Sequence, residues 1–255
     1  MKKHIPNFLT CCNLFFGCIG IIFSFNQNLE YAAYCIGIAA IFDFLDGFVA
    51  RLLKVSSPIG KELDSLADCV TFGVLPAFIL YQLMILAILE KATQSLVEGQ
   101  LPTATDSYLP YIALLIAVFS ALRLAKFNVD TRQSDSFIGV PTPANAILIG
   151  SIPLILMNNS TYDTFILNPV LLSALAVIMS LLLVAELPLF ALKFKSFAFK
   201  GNEIRYIFIL SSILLLVFLQ FLGIPLVILF YILLSVVNNM VSVKVESTDK
   251  TMIEK

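Results

Sequence analysis

Runs of apolar residues about twenty long recur along the chain, at approximately 10–26, 31–53, 63–90, 107–127, 142–158, 168–193, 205–222 and 224–243. A helix of that length crosses the hydrocarbon of a bilayer, so the pattern predicts eight membrane spans. Stretches such as ILLLVFL at 213–219 lack the apolar/polar alternation of a spanning strand, which excludes a membrane barrel. The expected fold is therefore all-α, a polytopic transmembrane helical bundle. No internal repeat or low-complexity region divides the sequence, and a single domain over 1–255 is expected.

Composition agrees with this reading. Of 255 residues, 59% are hydrophobic and 13% charged, and the mean hydropathy of +0.95 lies far above that of a soluble domain. Seventeen acids stand against sixteen Lys and Arg, so no overall basic field points to nucleic acid. The five cysteines are odd in number, lie within apolar runs and lack the paired spacing of a zinc site. They read as small hydrophobes. The start, Met-Lys-Lys-His, resembles the charged head of a signal peptide, but no small-residue cleavage site followed by a soluble domain comes after it, so the first span is expected to be retained.

Cytoplasmic segments collect Lys and Arg. With the N-terminus inside and eight spans, every Lys and Arg except Lys91 falls on the cytoplasmic side. Both termini are then cytoplasmic, and the opposite connections are polar to acidic, with 91–107 the longest. The protein is expected in the cell (inner) membrane.

Charge intrudes into apolar sequence most sharply in DFLDGFVARLLKVSSPIGKELDSLAD, residues 43–68. Each carboxylate at mid-helix costs about 2.5–3.5 kcal/mol to insert, so four without matching bases need compensation. Asp43, Asp46, Gly47 and Ala50 fall at i, i+3, i+4 and i+7 on one helix face, and Gly60, Asp64 and Asp68 recur every four residues on the next. Ser57 and Pro58 suit the N-cap and first position of that second helix, so a short cytoplasmic turn can fold the two faces together. Four converging carboxylates repel unless protonated or bridged by cations. Hard divalent ions, Mg²⁺, Mn²⁺ or Ca²⁺, fit an all-oxygen set best, and two of them suit in-line attack at phosphorus. Gly47, Ala50 and Gly60 leave room for a large ligand, though small residues also serve close helix packing. Arg51 offers a phosphate-binding fork at the cytoplasmic end.

Position for position, these residues match the pattern DxxDGxxAR, eight residues, GxxxDxxxD, through Asp43, Asp46, Gly47, Ala50, Arg51, Gly60, Asp64 and Asp68. The pattern resembles the signature of the CDP-alcohol phosphatidyltransferase family. With each residue type filling roughly one-twentieth of positions, eight fixed matches arise by chance with a probability on the order of 10⁻⁸. The resemblance implies displacement of CMP from a CDP-linked lipid by an alcohol. By it Asp43 and Asp64 bridge two metals, Mg²⁺ or Mn²⁺, Asp46 holds the first, and Asp68 touches the second and acts as general base. Gly47, Ala50, Arg51, Ser57 and Gly60 are then expected around the nucleotide and diphosphate. The resemblance further implies a homodimer.

Two more stretches bear on the acceptor. IPNFLTCCNLFFG at 5–17, with Asn7 and Thr10, resembles the family's nucleotide-proximal segment, and SALRLAKFN at 120–128 with FIGVPTPA at 137–144 resembles the branch that uses serine. Lys126 and Val140 stand where Arg and Leu are as common, changes that keep charge and bulk. The implied reaction is CDP-diacylglycerol plus L-serine giving phosphatidylserine plus CMP, with Arg123 a candidate for the serine carboxylate. No residue stands out for the serine ammonium. Glycerol phosphate or an inositol compound is the alternative acceptor within the family. Outside it the alternative is an ion-coupled transporter, since intramembrane acids often mark ion pathways.

Overall fold

The computed structural model describes residues 4–98, 104–130, 137–158, 160–190 and 202–253. The topology-bearing Lys2, Lys3, Arg132, Lys193, Lys195, Lys200 and Lys255 lie outside the described residues. Helices dominate: α1 (His4–Phe25), α2 (Leu29–Leu53), α3 (Pro58–Asp68), α4 (Leu75–Val97), α5 (Leu115–Val129), α6 (Thr142–Asn158), the single-turn α7 (Asp163–Ile166), α8 (Pro169–Val184), α9 (Glu203–Leu219) and α10 (Gly223–Ile253). A π-helical segment, Cys69–Val74, joins α3 to α4 in one 40-residue rod, and a 3₁₀ stretch leads into α5.

Each expected apolar run contains a helix, most with ends shifted by a few residues. The run expected at 168–193 is, among the described residues, helical only over Pro169–Val184, because the chain then turns into β2, and the run expected at 224–243 continues as helix to Ile253. The rod expected at 63–90 starts at Pro58 and runs to Val97 because Ser57 caps it, its Oγ accepting from the Gly60 amide at 3.0 Å with Pro58 in the first turn. The preceding helix ends where Lys54 turns left-handed (φ 52°) and returns its amide to the Ala50 and Arg51 carbonyls. Only 54–57 separate the two helices, the short turn that the sequence predicts.

Among the described residues, four stretches are long and apolar enough to cross a membrane: His4–Phe25, Pro58–Val97, Tyr108–Val129 and Glu203–Asn239. The helices Thr142–Asn158 and Pro169–Val184 are apolar but shorter. These long apolar helices mark a membrane protein. The 37 residues of Glu203–Asn239 are not one straight rod. At Gln220 (φ 49°) the chain turns, Gly223 lies against the Leu215 carbonyl, and Phe208 packs on Phe230 and Tyr231, so α9 and α10 run antiparallel.

The core centres on α4 and α6. Leu75, Ile79, Leu80, Leu83 and Met84 of α4 are fully buried, as are Ala146 and Ile149 of α6. Where helices approach most closely, side chains are trimmed: a Cβ on Gly17 would strike Thr71 of the π segment, and one on Gly73 would fall 2.9 Å from Ser120 Cβ on α5. One feature departs from a purely helical expectation. Phe137–Ile138 (β1) pairs antiparallel with Pro188–Leu189 (β2), matching Phe137 with Leu189 and Ile138 with Pro188. The backbone leaving α8 and entering α6 needs hydrogen-bond partners, and this short ladder supplies them, continued by Gly139 N–H to Leu187 O (2.9 Å) and Val140 N–H to Leu182 O (3.0 Å).

Candidate active site

The two acidic faces meet as their periodicity requires. Carboxylate oxygens of Asp43 on α2 and of Asp64 and Asp68 on α3 all lie within 4.8 Å of one another. Asp68 is buried, 9% exposed, as is Asp46 at 7%. Two like charges about 5 Å apart repel by roughly 3 kcal/mol at an effective dielectric of about 20. That repulsion falls on a triad that α1 helps to hold in place.

Helix α1 carries Asn7, Thr10 and Asn13, three residues apart and therefore on one face. Thr10 Oγ1 donates to Asp46 Oδ2 at 2.6 Å, and Asn13 Nδ2 donates to Asp68 Oδ1 at 3.1 Å. Thr71 of the π segment donates in turn to the Asn13 carbonyl at 3.2 Å. Asp46 is thus drawn toward α1 and stands apart from the triad of Asp43, Asp64 and Asp68.

Beside the acids opens a cleft of about 280 Å³. Asn7, Thr10, Asp46, Gly47, Ala50, Ser57, Gly60 and Asp64 line it, and Asp64 belongs to both cleft and triad. The cleft needs Gly60 to be a glycine: a Cβ there would come within 2.9 Å of both Asn7 Oδ1 and Ser57 Oγ. Arg51 is not in the wall. It is exposed, and its guanidinium folds back along α2 over Gly47, Nη1 lying 3.6 Å from where a Cβ would stand.

Arg123 is 8% exposed, and its Nη1 reaches Thr142 Oγ1 at 3.4 Å while its Nε has no hydrogen-bond partner. Its helix runs beside the α3–α4 rod, where Asn128 Nδ2 donates to Ser65 Oγ at 2.8 Å and Ser120 meets Gly73, and Arg123 lies between those two contacts. Phe127, one turn on, places its ring 6.0 Å from the guanidinium carbon. Arg123 also lines a second, smaller cleft with Lys126, Asp130, Ile138, Val184 and Glu186.

Two residues missing from the sequence-based site, Asn13 and Lys61, belong to it. Asn13 orients Asp68, and its signal was the continued three-residue step from Asn7 and Thr10 through an otherwise apolar run. Lys61 stands in the cleft wall next to Gly60. Asn145, fully buried with neither side-chain polar atom partnered, lies one turn beyond Thr142 on α6.

The donor set suits a hard divalent cation. Three carboxylates converge without a histidine or thiol among them, the choice of ligand that favours Mg²⁺, Mn²⁺ or Ca²⁺ over softer metals. The nearby cleft is lined by small and polar residues, as a phosphate-bearing ligand requires.

Comparison with known sequences bears on the same residues. Proteins named CDP-diacylglycerol–serine O-phosphatidyltransferase are similar to this chain in Helicobacter pylori (36% identity over 146 residues, 56% of this chain and 54% of the relative) and in Bacillus subtilis (32% over 145 residues, 55% and 70%). In Methanocaldococcus jannaschii the identity is 31% over 184 residues, 72% of either chain. The match spans about half the length of the Helicobacter relative. The sequence model for CDP-alcohol phosphatidyltransferases matches residues 3–187, a range that contains the acidic triad, both clefts and every residue from Asn7 to Glu186 described above. The chain belongs to the CDP-alcohol phosphatidyltransferase family.

Proposed function

We propose that this protein transfers a phosphatidyl group from CDP-diacylglycerol to the hydroxyl of L-serine, giving phosphatidylserine and CMP. The observation that carries this reading is the acidic triad beside a nucleotide-sized cleft, with a buried arginine on the helix that packs against α3. The names of the relatives support serine as acceptor.

Asp43 and Asp64 would be shared by two divalent cations, Mg²⁺ or Mn²⁺, with Asp46 a ligand of the first and Asp68 of the second. Bound there, the ions supply positive charge against the diphosphate and make the serine hydroxyl a better proton donor. Asp68, held by Asn13, takes the hydroxyl proton. The serine oxygen forms its bond to the phosphorus that bears diacylglycerol, the bond from that phosphorus to CMP breaks, and CMP leaves with the electron pair. Asn7, Thr10, Ser57 and the space beside Gly47, Ala50 and Gly60 receive the nucleotide and diphosphate. Arg51 swings from over Gly47 to pair with phosphate, and Arg123 pairs with the serine carboxylate.

The reaction's setting follows from the same reading. The chain acts as one domain over 1–255 with eight crossings of the cell (inner) membrane, both termini and the active site on the cytoplasmic side, as a homodimer. Of these, the repeated crossings are supported by the alternation of rod directions, since Asn7 of α1 meets Gly60 of α3 at one end while Gln27 meets Gln82, and Asn158 meets Gln220, at the other.

The decisive experiment supplies purified protein with CDP-diacylglycerol, Mg²⁺ or Mn²⁺, and serine, glycerol phosphate or inositol in separate reactions, following CMP. Release with serine and little with the others is expected. Preference for glycerol phosphate or inositol would reassign the acceptor while keeping phosphatidyl transfer.

A further inference from the structure

The small cleft beyond Arg123 has no part in metal or nucleotide binding, yet it collects charges of both signs. Arg123 and Lys126 enter it from the last turns of α5, Asp130, which already has a partner, from the residue after α5, and Glu186 from the turn between α8 and β2. Its volume is about 40 Å³. One water needs roughly 10–15 Å³ on this measure, so the space holds about three waters or a compact polar head. The buried Arg123 supplies a built donor here: among the described residues its Nε is unpartnered and its Nη1 has only the long 3.4 Å contact to Thr142. A buried guanidinium left short of acceptors calls for an anion.

Helix ends grade the field across this space. The N-terminus of α6 begins at Thr142, beside Arg123, and favours negative charge, while α8 ends at Val184, in the cleft wall next to Glu186, and favours positive charge. An anion site and a cation site thus face one small cavity. From this arrangement, and resting on serine as the acceptor, the geometry points to an α-amino-acid head site. Arg123 takes the carboxylate at the start of α6, and Glu186 accepts the ammonium at the end of α8. Helix α5 runs antiparallel along the α3–α4 rod, with Asn128 on Ser65 at one contact and Ser120 on Gly73 at the other, which brings Arg123 level with Asp68, so a serine so held extends its hydroxymethyl group toward the acidic triad. Glu186 is therefore a specificity-determining residue, a role for which its own neighbourhood in the sequence gives no sign.

The test compares native protein with Glu186→Gln and Glu186→Asp, following CMP release from CDP-diacylglycerol with serine, ethanolamine and 3-hydroxypropionate, the serine analogue without the ammonium. Glu186 is exposed, so the substitutions are not expected to disturb folding. Glu186→Gln is expected to raise the serine KM about tenfold or more, to leave the CDP-diacylglycerol KM within about twofold, and to narrow the preference for serine over 3-hydroxypropionate by about tenfold. Glu186→Asp, which keeps the charge, is expected to stay closer to native on all three measures. An unchanged serine KM and an unchanged preference in Glu186→Gln would overturn this assignment alone. Equal rises in the KM of serine and of CDP-diacylglycerol would overturn it too, by making Glu186 a structural residue. Native protein that releases CMP with glycerol phosphate or inositol but not with serine would overturn both the acceptor reading and this site.

Discussion

Two apolar stretches of similar length, one a rod and the other a hairpin, behave in opposite ways. Pro58–Val97 has a mean hydropathy of 2.3 over its most apolar window and 61% of that window buried inside the protein; Glu203–Asn239 reaches 2.9 with only 11% buried. The more apolar stretch is the more peripheral. In a membrane the surroundings are as apolar as leucine, so hydropathy reports that a helix can meet lipid and says little about whether it meets protein. What draws the first rod inward is its cargo of polar and small residues: Asp64 and Asp68, the Thr71 hydroxyl, and Gly73 against α5. The α9–α10 hairpin, apolar almost throughout, also lies beyond the stretch that the family shares.

This contrast can be broken most directly at the acids. Removing divalent ions with a chelator is expected to abolish CMP release, with Mg²⁺ or Mn²⁺ restoring it and Zn²⁺ doing so poorly. Full activity in excess chelator would defeat the reading of the triad. Next in size, Asp64→Asn or Asp43→Asn is expected to lower turnover by about a thousandfold or more, and Asp68→Asn to do so while binding of CDP-diacylglycerol, measured by calorimetry, persists. Asn13→Ala sharpens the point, since it touches only the orientation of Asp68; a loss of about tenfold in kcat with little change in either KM is expected. A steric probe follows. Gly73→Leu drives a side chain into Ser120 and is expected to lower thermal stability in detergent by about 1–3 kcal/mol. At the other end of the scale, Leu214→Ala on α9, 49% exposed, is expected to change neither activity nor melting temperature measurably. A large loss there would show the hairpin to be more than a lipid-facing layer.

Much of the architecture could be read in advance because its causes are local. Apolar runs of bilayer length become rods, and Ser57-Pro58 starts α3 through a cap that needs only neighbouring residues. The convergence of Asp43, Asp64 and Asp68 follows from helical spacing once a short turn joins the helices. Other features depend on contacts across long stretches of sequence, and periodicity is blind to those. Asn13 reaches Asp68 over 55 positions. Glu186 comes beside Arg123 through the packing of α8 on α5 and the pairing of β1 with β2, neither of which leaves a local mark. Arg51 was expected among the nucleotide contacts, yet it folds over Gly47 outside the wall, since an exposed guanidinium follows solvent and the nearest space. CVTFGV at 69–74 reads as ordinary apolar helix, and nothing in it announces a π turn.

That π turn makes the rod two screws joined out of phase. An α-helix advances about 100° per residue and the wider π turn about 80°, so the six residues of Cys69–Val74 turn the chain roughly 100° less than six α-helical residues would. With the segment as it is, Asp64 and Asp68 converge on Asp43 while Leu75, Ile79 and Leu83 look into the core. Rewound as α-helix with every residue kept, the segment would turn either the acids or the core leucines away by roughly a quarter of a circle. Loss of one residue would instead let the rod close into an uninterrupted α-helix with both faces nearly where they are. The rod therefore carries one residue of slack at the seam between its acidic and apolar halves, and the phase of the two faces depends on that slack staying in the π turn.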